Sequence, residues 1–251
     1  MTLINGDCIE EMRKLHENSI DLCLTDPPYG TTACKWDSVI PFHPMWAELK
    51  RIVKPKGAIC LFGSEPFSSA LRMSNIKMFK YDWVWKKDNS SNFFQAKFVP
   101  LNDMENISVF SSGGTNNGSK QPMSYNPQGV SVVDWDLENT CDKGGQVGVA
   151  KWAHRSMRKG HKYKQTLTGY PKRLLEYKRD KYVHPTQKPV PLLEYLIKTY
   201  TLEGETVLDF TMGSGSTGVA AKNLNRKFIG IERDENYYTT ACERINDTES
   251  E

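Results

Sequence analysis

Short apolar runs bounded by turn residues alternate with amphipathic stretches along most of this chain. Residues 8–16 carry a helical pattern, and the run Ile20-Asp21-Leu22-Cys23-Leu24 reads as a short buried strand. A second helix over 44–53 leads through Lys54-Pro55-Lys56-Gly57 into a strand over 58–63. A helix over 64–73 and strands over 81–85 and 104–110 follow. After Pro189 the pattern returns, with a helix over 192–200, a strand over 206–210, a glycine-rich turn opening a helix over 213–223, a strand over 227–232 and a last helix over 235–245. Strands alternating with helices predict an α/β fold, a twisted and mostly parallel sheet with helices on both faces. Such sheets bind ligands beyond the carboxyl ends of their strands.

The middle breaks this rhythm. Residues 111–148 are rich in Gly, Asn and Ser and weak in helical or strand periodicity, and long stretches of that kind in compact domains are usually functional or mobile. The chain then turns basic, with Lys151, Arg155, Arg158, Lys159, Lys162, Lys164, Lys172, Arg173, Lys178, Arg179 and Lys181 set against only Glu176 and Asp180. Clustered positive charge is the footprint of a nucleic-acid partner, and His154, His161, Trp135 and Trp152 add hydrogen-bonding and stacking groups. The same stretch also reads as a solvated insertion. The pattern divides the chain into 1–110, 111–182 and 183–251.

Composition narrows the class without naming it. A chain of 251 residues can bury one large core, or one core with an inserted lobe, and a net charge of +3 decides little by itself. The six cysteines (Cys8, Cys23, Cys34, Cys60, Cys141 and Cys242) form neither a CxxC pair nor a Cys/His cluster of metal spacing. That argues against zinc and for a reducing cytoplasm. The first residues lack the basic region and apolar core of a signal peptide, and no apolar run has membrane-spanning length. The expectation is a soluble cytoplasmic protein without a metal.

Candidate chemistry concentrates at two strand ends. After the strand at 20–24 stands Asp26-Pro27-Pro28-Tyr29, where two prolines carry the backbone out of the sheet between an acid and an aromatic. Prolines lack an N–H, so the segment offers carbonyl acceptors with few competing donors. A carboxylate, outward carbonyls and an aromatic plate suit a flat heterocycle held by an exocyclic amino group, which makes a nucleobase the leading substrate. The second strand end carries Gly213-Ser214-Gly215-Ser216-Thr217-Gly218, a G-x-G-x-x-G turn at a helix start, with Glu232 ending the next strand where it can bind both hydroxyls of a ribose. Taken alone, this fits a dinucleotide as well as any other adenosine-bearing cofactor. Asp209 shifts the balance, because a carboxylate just before the glycines repels a pyrophosphate and attracts a cationic amino-acid group. S-adenosylmethionine has an ammonium, a sulfonium and no phosphate, so the electrostatics favour a methyl donor over NAD.

With these residues assembled, the chain resembles the β-class of amino-methylating DNA methyltransferases, in which the catalytic tetrapeptide precedes the glycine motif and a target-recognition region lies between. Asn5-Gly6-Asp7-Cys8 resembles the family's adenine-binding segment and Asp26-Pro27-Pro28-Tyr29 its catalytic motif. Residues 83–89 are similar to the strand and loop lining the base pocket, and His184-Pro185-Thr186-Gln187-Lys188-Pro189 to the segment introducing the helix beside the cofactor's methionine moiety. Asp209-Phe210-Thr211-Met212 departs from the common Asp-Pro-Phe, so Thr211 stands where the family often has an aromatic.

The resemblance implies a Rossmann-like methyltransferase fold of permuted motif order with an inserted recognition lobe. It implies methyl transfer from S-adenosylmethionine to N6 of a flipped-out adenine in double-stranded DNA. Asp26 and the Pro27 carbonyl would accept the two amino hydrogens, Tyr29 would stack on the base, and Pro28 would fix the turn. Asp7 and Cys8 would lie at the cofactor's adenine, Glu232 at its ribose, and Lys188 and Pro189 near its methionine carboxylate, with Asp26, Asp209, Thr211, Gly213, Ser214, Gly215, Ser216 and Thr217 completing that site. Lys151, Arg155, Arg158, Lys159, Lys162 and Lys164 would face DNA. The rivals are N4-cytosine methylation, an RNA or protein-amide methyltransferase, an NAD-dependent oxidoreductase and an inactive DNA-binding module. An acid rather than a serine at position 26 leans towards adenine within the family. A homodimer and a cognate restriction endonuclease are the further partners left open.

Overall fold

The structure, a computed structural model, describes residues 1–31, 37–90, 92–138, 160, 162–179 and 187–248. Met1–Asn126 and Arg173–Glu251 form one compact unit and Pro127–Lys172 a second. Residues 111–126 and 173–179 therefore belong to the larger unit.

In the larger unit the chain runs β1 (Thr2–Asn5), α1 (Cys8–Lys14), β2 (Ile20–Thr25), α2 (Phe42–Ile52), β3 (Val53–Gly63), α3 (Phe67–Ser74), β4 (Phe79–Lys86) and β5 (Met104–Phe110). The smaller unit holds β6 (Ser131–Glu138) and β7 (Lys162–Thr168). The larger unit resumes with β8 (Leu174–Glu176), α4 (Val190–Tyr200), β9 (Thr206–Asp209), α5 (Ser216–Asn223), β10 (Lys227–Glu232) and α6 (Glu235–Asp247). Its eight strands lie in the order β1-β10-β9-β2-β3-β5-β4-β8. Pairing is parallel from β1 through β3 and between β4 and β8, while β5 runs antiparallel to both β3 and β4.

Both faces of the sheet are covered, which is why its central strands read as nearly continuous apolar runs. Successive side chains alternate between two cores. Leu22, Leu24, Ala58, Cys60, Phe62 and Val207 pack with Leu192, Leu196 and Tyr200 of α4, Ala220 of α5 and Ile245 of α6. Cys23, Ile59, Leu61 and Leu208 face Met12 of α1, Trp46 and Leu49 of α2, and Leu71 of α3. One polar group inside the sheet, Asp21, is satisfied by the Lys54 ammonium at 2.7 Å and the Thr206 amide at 3.0 Å.

The structure differs from the periodicity in four places. β1 is a four-residue edge strand, too short to show a period. Lys54-Pro55-Lys56-Gly57 lies inside β3, where the register with β2 is irregular, rather than in a separate connection. β8 has three residues and is recognisable only by its pairing with Val84, Trp85 and Lys86. β6 and β7 form an antiparallel ribbon within the stretch that lacked periodicity. Most of its residues are exposed on both faces, so nothing selected an apolar–polar alternation.

Candidate active site

Parallel pairing of β2 with β9 (Leu22 opposite Val207, Cys23 opposite Leu208) brings the two sequence motifs together. Both strands end at the same edge, one at Thr25 just before Asp26 and the other at Asp209. The Thr25 hydroxyl donates to Asp209 Oδ1 and accepts from the Phe210 amide at 3.0 Å, tying strand ends that lie 184 residues apart in sequence. Beyond them opens a cavity of about 930 Å³. Asp26, Pro27, Pro28, Tyr29, Asp209, Thr211 and Glu232 all line it.

The glycine turn is shaped by backbone conformation. Gly213 and Gly215 have φ of 52° and 82°, values that favour glycine, and Gly215 forms the N-cap of α5. The Gly213 amide donates to Glu232 Oε2 at 2.9 Å and the Asp234 amide to Oε1 at 2.8 Å, so two backbone donors fix the carboxylate at the tip of β10. Thr217 of α5 donates to Asp209 Oδ2 at 2.7 Å and the Thr211 amide to Oδ1 at 3.2 Å. Burial pushes the Asp209 carboxyl up to about 6 in spite of those hydrogen bonds. Asp7 forms the N-cap of α1, its carboxylate accepting from the amides of Ile9 at 2.9 Å and Glu10 at 3.2 Å. Beside it, burial raises the Cys8 thiol to about 11, so it faces the cavity neutral.

A charged network surrounds the tetrapeptide. Lys188 Nζ bonds Asp26 Oδ2 and lies 3.0 Å from Glu105 Oε1, and Lys87 Nζ lies 2.8 Å from Glu105 Oε2. The Tyr29 hydroxyl lies within hydrogen-bond reach of Asp26 Oδ1 and, at 2.7 Å, of Glu105 Oε1. Its ring stacks on Phe67 with centroids 5.1 Å apart, which occupies one of its two faces. Burial disfavours ionisation of Glu105, but Lys188 and Lys87 outweigh it and hold the carboxyl at about 2. Asp26 shares Lys188, and among the described residues no second lysine offsets its burial, so burial wins there, the Glu105 charge adds to it, and the carboxyl lies above its ordinary value. Burial pulls the Lys188 ammonium down, yet Asp26 and Glu105 outweigh it and keep Lys188 charged.

Most of the expected site residues meet in this one cavity. Asp7, Cys8, Gly213, Ser214, Ser216 and Thr217 line it with those already described. Pro189 and Gly215 instead shape the backbone behind its wall, as the N-caps of α4 and α5. Lys188, expected beside a methionine carboxylate, is engaged with Asp26 and Glu105. Thr211, which replaces the common aromatic, donates from its hydroxyl to the Asp26 carbonyl at 3.1 Å and so joins the two motifs directly. Of the basic group, Lys162 and Lys164 lie on β7 in the smaller unit, both exposed, with Lys164 2.6 Å from Asp134. Lys151, Arg155, Arg158 and Lys159, the neighbouring His154, His161 and Trp152, and His184, Pro185 and Thr186 lie outside the described residues.

Sequence reasoning missed Glu105 and the pairing of Lys87 with it. The available signal was an acid two and four residues before Ile107 and Val109, on the same face of β5 as those buried apolar side chains and opposite Trp85 across the β4–β5 ladder. Among the described residues no group of three or more His, Cys, Asp or Glu could hold a metal ion, and no helix is long and apolar enough to cross a membrane.

Residues 20–243 match the family model described as DNA methylase. A curated relative, the type II methyltransferase M2.DpnII of Streptococcus pneumoniae, is 27% identical over 98% of this chain and 89% of its own length. The structure of M1.HpyAVI in complex with SAM superposes with a TM-score of 0.61 at 24% identity, covering 98% of this chain and 99% of that one. The cytosine-N4-specific PvuII DNA methyltransferase superposes with a TM-score of 0.66 at 16% identity, over 98% of this chain and 90% of its own.

Proposed function

Because this chain belongs to the DNA methylase family, and so is an S-adenosylmethionine-dependent DNA methyltransferase, we propose that it methylates N6 of an adenine flipped out of duplex DNA. The observation that carries this reading is the convergence of the acceptor segment after β2 and the glycine cradle after β9 on one cavity.

The residues present fit the cofactor. Gly213 lines the cavity, and a Cβ added there would meet no atom within 4 Å, so the backbone is open to a close ligand. The Glu232 oxygens each keep a lone pair for a ribose hydroxyl after accepting one backbone hydrogen bond. Asp209 places negative charge where the cofactor's amino-acid cation would lie. When bound, the cofactor supplies an electrophilic methyl group. Asp7, Glu232 and the glycine turn would hold it, and this chain's own side chains position the acceptor.

Asp26 accepts one hydrogen of the adenine amino group and the Pro27 carbonyl the other. Together they draw the nitrogen out of conjugation with the ring and aim its lone pair into the cavity. Burial makes Asp26 a stronger base than a solvated carboxylate, which suits it to take the proton the amine gives up. Lys188 and Tyr29 restrain the Asp26 carboxylate from its two oxygens, so its orientation is set before substrate arrives. The face of Tyr29 opposite Phe67 is left to stack on the base, a contact worth roughly 1–3 kcal/mol.

N4 of cytosine is a second exocyclic amine that the same acceptors could hold, and Asp26 in place of a serine favours adenine. Transfer of labelled methyl groups to unmethylated DNA, followed by nucleoside analysis, decides between them. Label is expected in N6-methyladenine, and label in N4-methylcytosine would overturn the assignment. Asp26→Ala is expected to lower transfer by about a thousandfold or more while cofactor binding stays measurable by calorimetry. Full activity in that variant would defeat the roles given above.

A further inference from the structure

Between β4 and β5 the chain leaves the sheet at Lys87 and returns at Met104, and Lys87 and Glu105 line the cavity. The Lys87 amide donates to the Asp103 carbonyl at 2.7 Å and closes the neck of this excursion. Inside it, Asn92 acts as a clamp. Its Nδ2 donates to the Pro100 carbonyl at 3.0 Å and its Oδ1 accepts from the Asn102 amide at 2.6 Å. A 3₁₀ turn at Phe93–Gln95 continues through the amides of Phe98 and Val99, which both donate to the Gln95 carbonyl, at 2.8 and 3.0 Å.

This hydrogen-bonded frame presents its apolar side chains outward. Phe93, Phe94 and Phe98 are 63%, 102% and 86% exposed, with Val99 and Leu101 exposed beside them. Three solvated phenyl rings in one short segment are exposed apolar surface of the kind that marks a contact site. Its charges point to the partner. Lys97 is exposed in the segment and Lys86 at the end of β4 beside it, while Asp88 is engaged by Arg179 at 3.4 Å and Asp103 is half-buried. Aromatic faces among lysines suit stacked bases and phosphates.

We infer that Phe94 and Phe98 form a wedge that contacts DNA beside the flipped base, stacking on bases uncovered when the target leaves the helix. Apolar side chains inserted between base steps serve that purpose elsewhere. The position is apt, because Lys87 and Glu105, at the two ends of the segment, line the cavity the base must enter. This inference rests on the base-flipping reading given above.

The test compares wild type with the double variant Phe94→Ala/Phe98→Ala on one long, unmethylated genomic DNA of mixed sequence, native and heat-denatured. Both side chains are exposed, so thermal stability and cofactor affinity are expected to match wild type. Methylation of native duplex is expected to fall by about tenfold or more, while methylation of the denatured strands stays within about twofold of wild type. Phe94→Trp/Phe98→Trp is expected to retain duplex activity. An active wild type with an equally active double variant overturns the wedge alone, as does equal loss on both DNA forms. Loss accompanied by dissociation of a dimer in sedimentation overturns it in favour of self-association. A wild type that methylates neither form overturns the proposed function, and the wedge with it.

Discussion

Asp209 is only 4% exposed, and burial pushes its carboxyl up from 3.8 to about 6. The folded state therefore holds its proton more tightly than the unfolded chain does. Its contribution to stability is fully present below the unfolded value and is lost as pH rises through the folded one, a change of about 3 kcal/mol for a shift of this size. Asp209→Asn cannot ionise, so the stability of wild type relative to that variant is expected to fall by roughly 2–3 kcal/mol between about pH 4 and about pH 7. Urea unfolding of the two cofactor-free proteins across that range measures it, and parallel curves would contradict the assignment. Sequence indicated that Asp209 stands at a strand end before the glycines. That three hydrogen bonds and near-complete burial surround it could be seen only after α5 and β2 were placed beside β9. The same holds for Lys188, which looked like a solvated or cofactor-facing lysine until Glu105 arrived from a distant strand.

At the scale of elements, α5, α6 and β10 meet so closely that one glycine is needed for space. A Cβ on Gly218 would lie 2.3 Å from Ile245 Cδ1 and 2.8 Å from Phe228 Cε1, and both of those side chains are about 1% exposed. Gly218→Ala gains about 0.5–1 kcal/mol in helix propensity, but overpacking of a filled core costs about 1–3 kcal/mol. A net loss of roughly 1–2 kcal/mol is expected in chemical denaturation. Ile245→Val removes the nearest clashing carbon, so the double variant is expected to lose less than the sum of the two single changes. Additive losses would show that the contact is not the cause. Helices and strands with a buried face were legible from their period, and β5 and β10 have the limits the pattern predicts. The elements that escaped notice were the short edge strands and the two-sided ribbon of β6 and β7, where no buried face imposed a period.

For the whole molecule, the eight-stranded sheet and both of its cores lie in the larger unit. Replacing Pro127–Lys172 by a flexible glycine–serine linker is thus expected to leave a cooperatively folding protein that binds S-adenosylmethionine within about threefold of wild type. Methylation of duplex DNA is expected to fall by about a hundredfold or more, because residues proposed for target recognition leave with that unit. Thermal unfolding, calorimetry and methyl transfer test this together, and retained duplex activity would contradict the role given to the basic region. Sequence by itself determined the α/β alternation, the Asp26-Pro27-Pro28-Tyr29 and glycine-turn motifs, and the acids that accompany them. These depend on local backbone chemistry and on side-chain period, which a linear reading contains. Tertiary structure alone decided that β2 and β9 are neighbours, that Thr25 and Thr211 join their motifs, and that Glu105 and two lysines set the charge around Asp26. Those relations are contacts between residues far apart in the chain. They exist only once burial of both sheet faces has fixed the strand order.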